Sequence, residues 1–314
     1  MIKRLFVGGS GRSGTTLMLE ALGKHPQIYS LPMEMRFIID PDGLINLVNI
    51  INRDFCPFQA REAIYRFHKL MTHHLCRPRQ RPYLNFDFPR IFGKDFYYQR
   101  CQQFFQQITN HQFQGRSYFE GNEENLENTR QIFGARYFSN PEELLQICAS
   151  FVDDLFSTSA SQAGKPIWCE KTPFNVLHID FLSQLFPDAP VIHIIRDPRA
   201  VILSLIQPSE YWAPSNVHDA ALFLDTFFQR WFQLKEKIHP NNPNLIEIKY
   251  EELVENPLPL LQKLQQKLQL ELPFQNIPPM NIERLHAWKK DLTPTQIHTI
   301  EEVLHPLIQK LGYK

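Results

Sequence analysis

Short apolar runs recur along the chain and predict buried strands. They cover residues 5–7, 166–169, 191–195 and 245–249. Apolar runs of this length, bounded by polar or glycine residues, are typical of strands covered on both faces of a sheet. The sequence therefore predicts at least four short strands, widely separated along the chain.

Helical patterns follow these strands. After the first strand, apolar residues return at helical spacing over residues 17–22, and further helices are predicted over 200–205, 218–237, 256–270 and 295–311. Thr172-Pro173 and Asp197-Pro198 each place a capping side chain before a proline suited to the first helical position. Strands that alternate with helices predict an α/β fold with a mostly parallel sheet flanked by helices, and ligands at the carboxyl ends of the strands.

The pattern changes between about residues 41 and 164. This stretch is rich in aromatic residues and glutamine, which predicts a largely helical insertion, and residues 97–113 predict an amphipathic helix rather than a low-complexity segment. We expect residues 1–314 to form a single domain in which this insertion shapes a substrate site.

Composition and charge narrow the class of protein. Lys plus Arg equals Asp plus Glu at 33 each in 314 residues, so no overall field favours a nucleic acid or an anionic membrane. Five scattered cysteines without a metal-ligand spacing are typical of a reducing compartment, and we expect a cytoplasmic protein. No apolar run is long enough for a signal peptide or a membrane span, and the 12 histidines show no metal-binding pattern.

The candidate chemistry begins with the segment Gly-Ser-Gly-Arg-Ser-Gly-Thr-Thr at residues 9–16. Gly9, Gly14 and Thr16 fit the frame of a phosphate-binding P-loop, but Thr15 stands in the place of its lysine. A strand, a glycine turn and a helix in this order aim backbone N–H groups at one anion. Because the missing lysine normally serves the β- and γ-phosphates of a nucleotide, we expect a different phosphorylated ligand. The alternative is an ordinary turn between a strand and a helix.

Four motifs, taken in chain order, carry a resemblance to a known family. They are the segment 11–16, Lys171-Thr172-Pro173, Arg196-Asp197-Pro198-Arg199 with Ser204, and Tyr250-Glu251-Glu252-Leu253. Together they resemble the sulfotransferases that use 3′-phosphoadenosine 5′-phosphosulfate (PAPS), in the pattern of the protein-tyrosine and bacterial branch. The resemblance implies a P-loop-type sheet, PAPS as the sulfo donor, and adenosine 3′,5′-bisphosphate as a product.

The resemblance also implies a donor site. The 5′-phosphosulfate would be bound by Arg12, Ser13, Gly14, Thr15 and Thr16, and the 3′-phosphate by Arg196 and Ser204. Tyr250 would lie near the nucleotide or simply pack on the sheet, and Lys289 and Lys290 would close over the 3′-phosphate. Two positions depart from relatives: His286 stands where they have a serine, and Pro208 where some have a further arginine.

Sulfo transfer to a hydroxyl requires removal of the acceptor proton and stabilisation of charge on the leaving phosphate. Glu34-Met35-Arg36 resembles the Glu-Thr-Arg segment of protein-tyrosine sulfotransferases. The resemblance implies that Glu34 is the catalytic base, that Arg36 orients it or the acceptor, and that Lys171 reaches the bridging oxygen, with Arg12 on the equatorial oxygens. The alternative for Glu34 is a solvated loop ion pair, and Glu170 is either a second carboxylate of the cleft or a charge of the helix start.

The function expected is therefore transfer of a sulfo group to an acceptor hydroxyl. A carbohydrate or small-molecule acceptor is preferred, with a tyrosyl acceptor as the alternative. Two rivals remain from the residues: a P-loop kinase with a lysine from elsewhere, and a catalytically silent nucleotide-binding protein. The sequence gives no oligomeric state, and no metal is expected.

Overall fold

The computed structural model describes residues 2–77, 86–115, 130–207, 212–238 and 244–314. Its strands are β1 (Arg4–Gly9), β2 (Ile28–Ser30), β3 (Thr109–Gly115), β4 (Arg130–Ala135), β5 (Ile167–Lys171), β6 (Val191–Ile195) and β7 (Leu245–Lys249). Its α-helices are α1 (Thr15–Gly23), α2 (Leu44–Asn52), α3 (Pro57–Thr72), α4 (Phe88–Phe92), α5 (Lys94–Ile108), α6 (Pro141–Gln162), α7 (Ile179–Leu185), α8 (Pro198–Leu205), α9 (Val217–Lys237), α10 (Tyr250–Glu255), α11 (Pro257–Lys267), α12 (Glu283–Asp291) and α13 (Pro294–Lys310).

A five-stranded sheet lies in a compact unit formed by Met1–Glu34, Gly164–Ser183 and Pro187–Lys314. Its strand order is β2-β5-β1-β6-β7, and all four neighbouring pairs are parallel. The predicted α/β class with a mostly parallel sheet is thereby confirmed. Since parallel strands end at one edge of a sheet, the segments that follow β1, β5, β6 and β7 gather there.

The sheet is held by apolar side chains of its central strands and of the helix after the glycine loop. Leu5 and Val7 of β1 and Ile192 of β6 are fully buried in one cluster with Met18 and Leu22 of α1. Each fully buried side chain of this size contributes about 1.5–3 kcal/mol. The apolar residues on either side of the glycine loop therefore anchor it between two buried elements, β1 and α1.

The second compact unit comprises Met35–Ala163 and Gln184–Phe186. It contains α2 to α6 and an antiparallel pair, β3 with β4. Its core is aromatic: Phe37 contacts Phe88, Phe151 and Phe156 with ring centroids 5.9–6.1 Å apart. This unit covers nearly the same residues as the predicted insertion, whereas the expectation of a single domain over 1–314 stays a prediction.

The expectation of one helix over residues 97–113 is wrong at its end. Helix α5 ends at Ile108 and β3 runs over Thr109–Gly115. The periodic aromatics belong to the helix, but the last residues pair with β4, a strand distant in sequence, and local spacing does not reveal such a partner.

The two predicted caps have different outcomes. The Asp197 carboxylate accepts a hydrogen bond from the Arg199 backbone N–H at 3.0 Å and caps α8, as predicted. Thr172 does not cap: its hydroxyl donates to Glu170 Oε1 at 2.6 Å, and a 3₁₀ helix follows over Pro173–His178. The Thr172 side chain thus reaches Glu170, and no side-chain hydrogen bond caps the 3₁₀ helix.

The remaining predicted helices are confirmed with small shifts of their ends, as α8, α9, α11 and α13. Across the part of the chain that the structure describes, no helix combines the length and apolar composition needed to cross a membrane.

Candidate active site

The loop between β1 and α1 has a backbone that few residue types tolerate. Gly11, Arg12 and Gly14 have φ angles of 76°, 54° and 103°. A Cβ on Gly14 would lie 2.2 Å from Cδ2 of Tyr250, and one on Gly11 would lie 2.7 Å from Cη2 of Trp212. Both glycines are therefore required by conformation and by an aromatic ring in contact with the loop, and Arg12 adopts a left-handed conformation that costs about 1–2 kcal/mol.

The same loop presents polar groups that its own fold does not satisfy. Ser13 is buried, and within the described residues its Oγ has no hydrogen-bond partner. Gly14, the N-cap residue of α1, has no side chain, so no side chain caps the first N–H groups of the helix. Thr15 is buried and Thr16 is exposed at this helix start. An uncapped helix start beside a buried hydroxyl fits a bound anion.

Lys171, the last residue of β5, forms an ion pair with Glu34. Its Nζ lies 2.7 Å from Glu34 Oε1, and the side chains are 9% and 29% exposed. Register places Lys171 beside Val7 of β1, two residues before the glycine loop begins. Glu34 is held nearby because the chain after β2 continues along β5, where the Leu31 N–H donates to the Cys169 carbonyl at 2.9 Å. The structure thus brings together two of the three predicted catalytic residues.

Arg36 follows Glu34 closely in sequence but belongs to the second unit. There its guanidinium Nε donates to the carboxylate of Asp40, four residues on. The predicted role of Arg36 toward the acceptor stays a prediction.

Arg12, Ser204 and Arg196 form a connected cluster. Arg12 Nε donates to Ser204 Oγ at 2.9 Å, and Arg196 Nη1 donates to the Arg12 carbonyl at 3.1 Å. The resemblance assigned Arg12 and Ser204 to opposite ends of the donor, whereas here they are in direct contact. Helix α8, which Asp197 and Pro198 begin, is what carries Ser204 to the loop.

Arg196 itself is almost fully enclosed. Its guanidinium lies 4.4 Å from the centroid of the Tyr250 ring, and Nη2 donates to the Arg284 carbonyl at 2.9 Å. Burial lowers the pKa of Arg196 from its ordinary value, but a guanidinium stays charged near neutral pH. Among the described residues its Nε has no partner. A buried cation with an unused donor is a suitable ligand for a phosphate.

Tyr250 is buried, whereas the two lysines of α12 lie on the surface. The Tyr250 ring lies against both Gly14 and Arg196. It can therefore pack on the loop and also lie near a bound nucleotide. Lys289 and Lys290 are exposed, and Lys289 Nζ lies 5.6 Å from the centroid of the Trp288 ring. Contact between α12 and Arg196 is made by the Arg284 carbonyl instead, and the role of the two lysines stays a prediction.

Several contributors escaped the sequence analysis. Arg199 was part of a motif without an assigned role. Its guanidinium makes a bidentate ion pair with Asp197 and lies 4.0 Å from the Trp288 ring centroid. Trp212 and Arg284 carried no local signal at all. Glu170 is buried and accepts hydrogen bonds from Thr172 and from Asn175 Nδ2, both at 2.6 Å, which makes it an internal anchor of the strand end. Pro208 lies outside the described residues.

Comparison with known proteins identifies the family of this chain. A model of the Sulfotransferase family matches residues 4–274. Two curated relatives, each named "Putative protein-tyrosine sulfotransferase", are 28% identical to this chain. The one from Caenorhabditis briggsae matches over 127 residues, 39% of this chain and 43% of the relative. The one from Caenorhabditis elegans matches over 130 residues, 40% of this chain and 47% of the relative. The matched region thus spans less than half the length of either relative.

A solved structure, the sulfotransferase domain from the curacin biosynthetic pathway, superposes with a TM-score of 0.52 at 14% identity and covers 100% of this chain and 99% of that chain. At this identity the likeness shows the fold. The family match extends over most of the chain and includes the glycine loop, Lys171, Arg196 and Ser204. The chain belongs to the Sulfotransferase family.

Proposed function

We propose that this protein is an enzyme that transfers a sulfo group from PAPS to the hydroxyl of an acceptor. The observation that carries the proposal is the 2.7 Å contact between Glu34 and Lys171. It joins a carboxylate that can take a proton to a cation beside the strand that leads into the glycine loop. This pair and the loop lie in the same compact unit.

The residues of the loop fit the donor. The buried Ser13 hydroxyl and the N-terminus of α1 suit the 5′-phosphosulfate, and the unused Nε of Arg196 suits the 3′-phosphate. PAPS has no β- or γ-phosphate, so the absence of a P-loop lysine at Thr15 is consistent with it. Because Arg12 contacts Ser204 directly, we assign both to one basic cluster with Arg196.

In the proposed reaction the acceptor oxygen forms a bond to sulfur as the bond between sulfur and the bridging oxygen of the 5′-phosphate breaks. Glu34 takes the hydroxyl proton, and the electron pair of the broken bond stays on the leaving phosphate. Lys171 has three N–H donors, so it can hold Glu34 and also donate to the bridging oxygen. The products are a sulfate ester and adenosine 3′,5′-bisphosphate.

Calorimetry tests the donor. We expect adenosine 3′,5′-bisphosphate to bind at least about tenfold more tightly than ATP with Mg²⁺, a difference of about 1.4 kcal/mol. The opposite order would indicate a P-loop kinase and contradict the proposal.

Incubation of the protein with isotopically labelled PAPS and cell extracts tests the transfer. Mass spectrometry should find labelled sulfate esters that are absent with the Lys171→Ala variant. Binding of the bisphosphate without consumption of PAPS for any hydroxyl acceptor would identify a catalytically silent nucleotide-binding protein. We propose a carbohydrate or small-molecule acceptor, and tyrosyl peptides belong in the same panel as the alternative.

A cytoplasmic location is part of the proposal. All five cysteines are free thiols, as is usual in a reducing compartment. Fractionation of cells that express the tagged protein tests this directly.

A further inference from the structure

A cavity of about 390 Å³ lies wholly within the second compact unit. Its walls come from α3, from α5 and from the β3–β4 hairpin. The volume falls within the range of roughly 300–1,000 Å³ that is usual for small-molecule sites. None of the residues in the proposed donor site or transfer step belongs to its walls.

Helix α5 turns one continuous face toward this cavity. Tyr98, Gln102, Phe105 and Gln106 line it at spacings of three or four residues, while Gln99 on the same helix does not. Residues at these spacings share a face of a helix. The exposed glutamines of this helix therefore divide into a pair that faces the cavity and others that face away.

The described residues that line the cavity carry no permanent charge. They include four glutamines, and the only titrating side chain near neutrality is His68. Burial, aided by the neighbouring His73, lowers the pKa of His68 from its ordinary value and favours a neutral ring. A charged ligand would find no partner of opposite charge among these walls, at a cost in desolvation.

One side of the cavity is aromatic. The His68 ring lies 4.9 Å from the Phe105 ring and 5.0 Å from the Phe133 ring, measured between centroids. The Phe105 and Phe133 rings are inclined to each other by 29°, with centroids 6.1 Å apart. From the hairpin, Gln131 Nε2 donates to Gln112 Oε1 across the two strands. The aromatic rings and the amides thus line the same walls: Gln112 pairs with Phe133 across the two strands, and Gln102 and Gln106 flank Phe105 on α5.

We propose that this cavity binds a neutral sugar, roughly a mono- or disaccharide in size. A sugar ring has an apolar C–H face that packs on aromatic rings, and hydroxyls that both donate and accept hydrogen bonds. Each glutamine amide offers two donors and an oxygen acceptor, which matches such hydroxyls without any charge. The aromatic surface and the amides of this cavity together supply both parts of that recognition.

The test is ligand-observed saturation-transfer NMR on the full chain, without any sulfo donor. The probes are the methyl glycosides of glucose, galactose, mannose and N-acetylglucosamine, with glucose 6-phosphate as a charged comparison. We expect saturable binding of at least one neutral glycoside and at least about tenfold weaker binding in the double variant Gln102→Ala/Gln106→Ala.

The double variant Gln99→Ala/Gln107→Ala is the matched control, because it removes two exposed amides of the same helix that do not line the cavity. It should bind like the unmodified chain. The proposal fails if no neutral glycoside binds, if both double variants weaken binding equally, or if glucose 6-phosphate binds as tightly as the best glycoside. Because the titration contains no donor, its outcome is independent of the transfer activity proposed above.

Discussion

At the scale of single residues, the site depends on a pair that is 137 residues apart in sequence. In the proposed reaction Glu34 must reach an acceptor hydroxyl, and Lys171 must lie near the leaving oxygen. Their ion pair fixes both side chains against the end of β5. Such a contact couples the two residues energetically, since removal of one leaves a largely buried charge without its partner.

The variants Glu34→Gln and Lys171→Met test this coupling. We expect each to lower kcat/KM by about 100-fold or more, in the range of a lost acid–base or charge-stabilising group. The double variant should lose less than the product of the two single losses, because groups that act as a unit are not additive. Steady-state kinetics measure the losses, and calorimetry should find binding of adenosine 3′,5′-bisphosphate to Glu34→Gln within a few-fold of the unmodified protein. Near-normal turnover in either single variant would remove that residue from the proposed chemistry.

Gly14 offers a second prediction at this scale. Gly14→Ala must accommodate a φ of 103° and a methyl group 2.2 Å from the Tyr250 ring. We expect a fall in the free energy of unfolding of about 2–4 kcal/mol, from backbone strain together with overpacking. Urea denaturation measures it, and binding of the bisphosphate should weaken as well.

Gly164→Ala is the matched control for Gly14→Ala. Gly164 has a φ of 68°, but a Cβ there would meet nothing within 4 Å. Only the backbone cost of about 1–2 kcal/mol should appear. Equal destabilisation of the two variants would show that the ring contact at Gly14 is unimportant.

At the scale of elements, β6, which lies between β1 and the edge strand β7, carries a buried histidine. His193 is 0% exposed, its ring centroid lies 4.4 Å from that of Trp231 on α9, and its Nδ1 lies 3.6 Å from Glu247 Oε1 on β7. Burial lowers the pKa of His193, against the opposing effect of Glu247. Burial alone would raise the pKa of Glu247, but contacts with His193 and Lys235 lower it to about 2.

These shifts predict how stability depends on pH. With its pKa lowered in the fold, His193 stays neutral while the unfolded chain takes up a proton below about 6.5. The unfolded state then binds more protons, so stability falls as pH falls from 7.5 to 5.5, by at most about 1.4 kcal/mol per pH unit for one group. Glu247 does not contribute in this range, because its lowered pKa affects stability only below about 4.5.

Urea denaturation of the unmodified chain and of His193→Gln at pH 7.5 and 5.5 measures this effect. The variant should lose part of the pH dependence. His25 and His68, whose pKa values burial also lowers, supply the remainder. An unchanged dependence in His193→Gln would contradict the assignment.

At the scale of the whole molecule, the proposed donor contacts all belong to one compact unit. The glycine loop, the Arg196 cluster and α12 lie in the unit that contains the parallel sheet, while α4, α5 and α6 lie in the other. Ligand binding stabilises the states that bind it, by about 2.7 kcal/mol at one hundred times the dissociation constant.

Hydrogen exchange measured by mass spectrometry tests whether the nucleotide binds in this unit. Saturation with adenosine 3′,5′-bisphosphate should slow exchange over residues 9–18, 196–204 and 284–288. Exchange over residues 94–108 should change little unless global unfolding controls it. ATP with Mg²⁺ at the same concentration is the control ligand. Protection confined to 94–108 would place the nucleotide in the wrong unit and contradict the donor site.

The local sequence by itself determined the glycine loop, the four predicted strands of the sheet and most of the helices. These elements depend on interactions between residues that are close in sequence. The glycines of the loop, the proline after a capping aspartate and the regular spacing of apolar residues can therefore be recognised in a short stretch of chain. The motifs also indicated which residues could bind a phosphate. Asp197 caps α8 as its sequence predicts, and the four predicted strands are present in the sheet.

Tertiary structure alone decided which of these residues meet. It paired Glu34 with Lys171, joined Arg12 to Ser204 across 192 residues of sequence, and set Trp212 against Gly11. It also added β2 and the β3–β4 hairpin, and it turned Thr172 from a cap into a partner of Glu170. Each of these depends on a contact between distant segments, and such contacts form only when the burial of apolar surface brings those segments together.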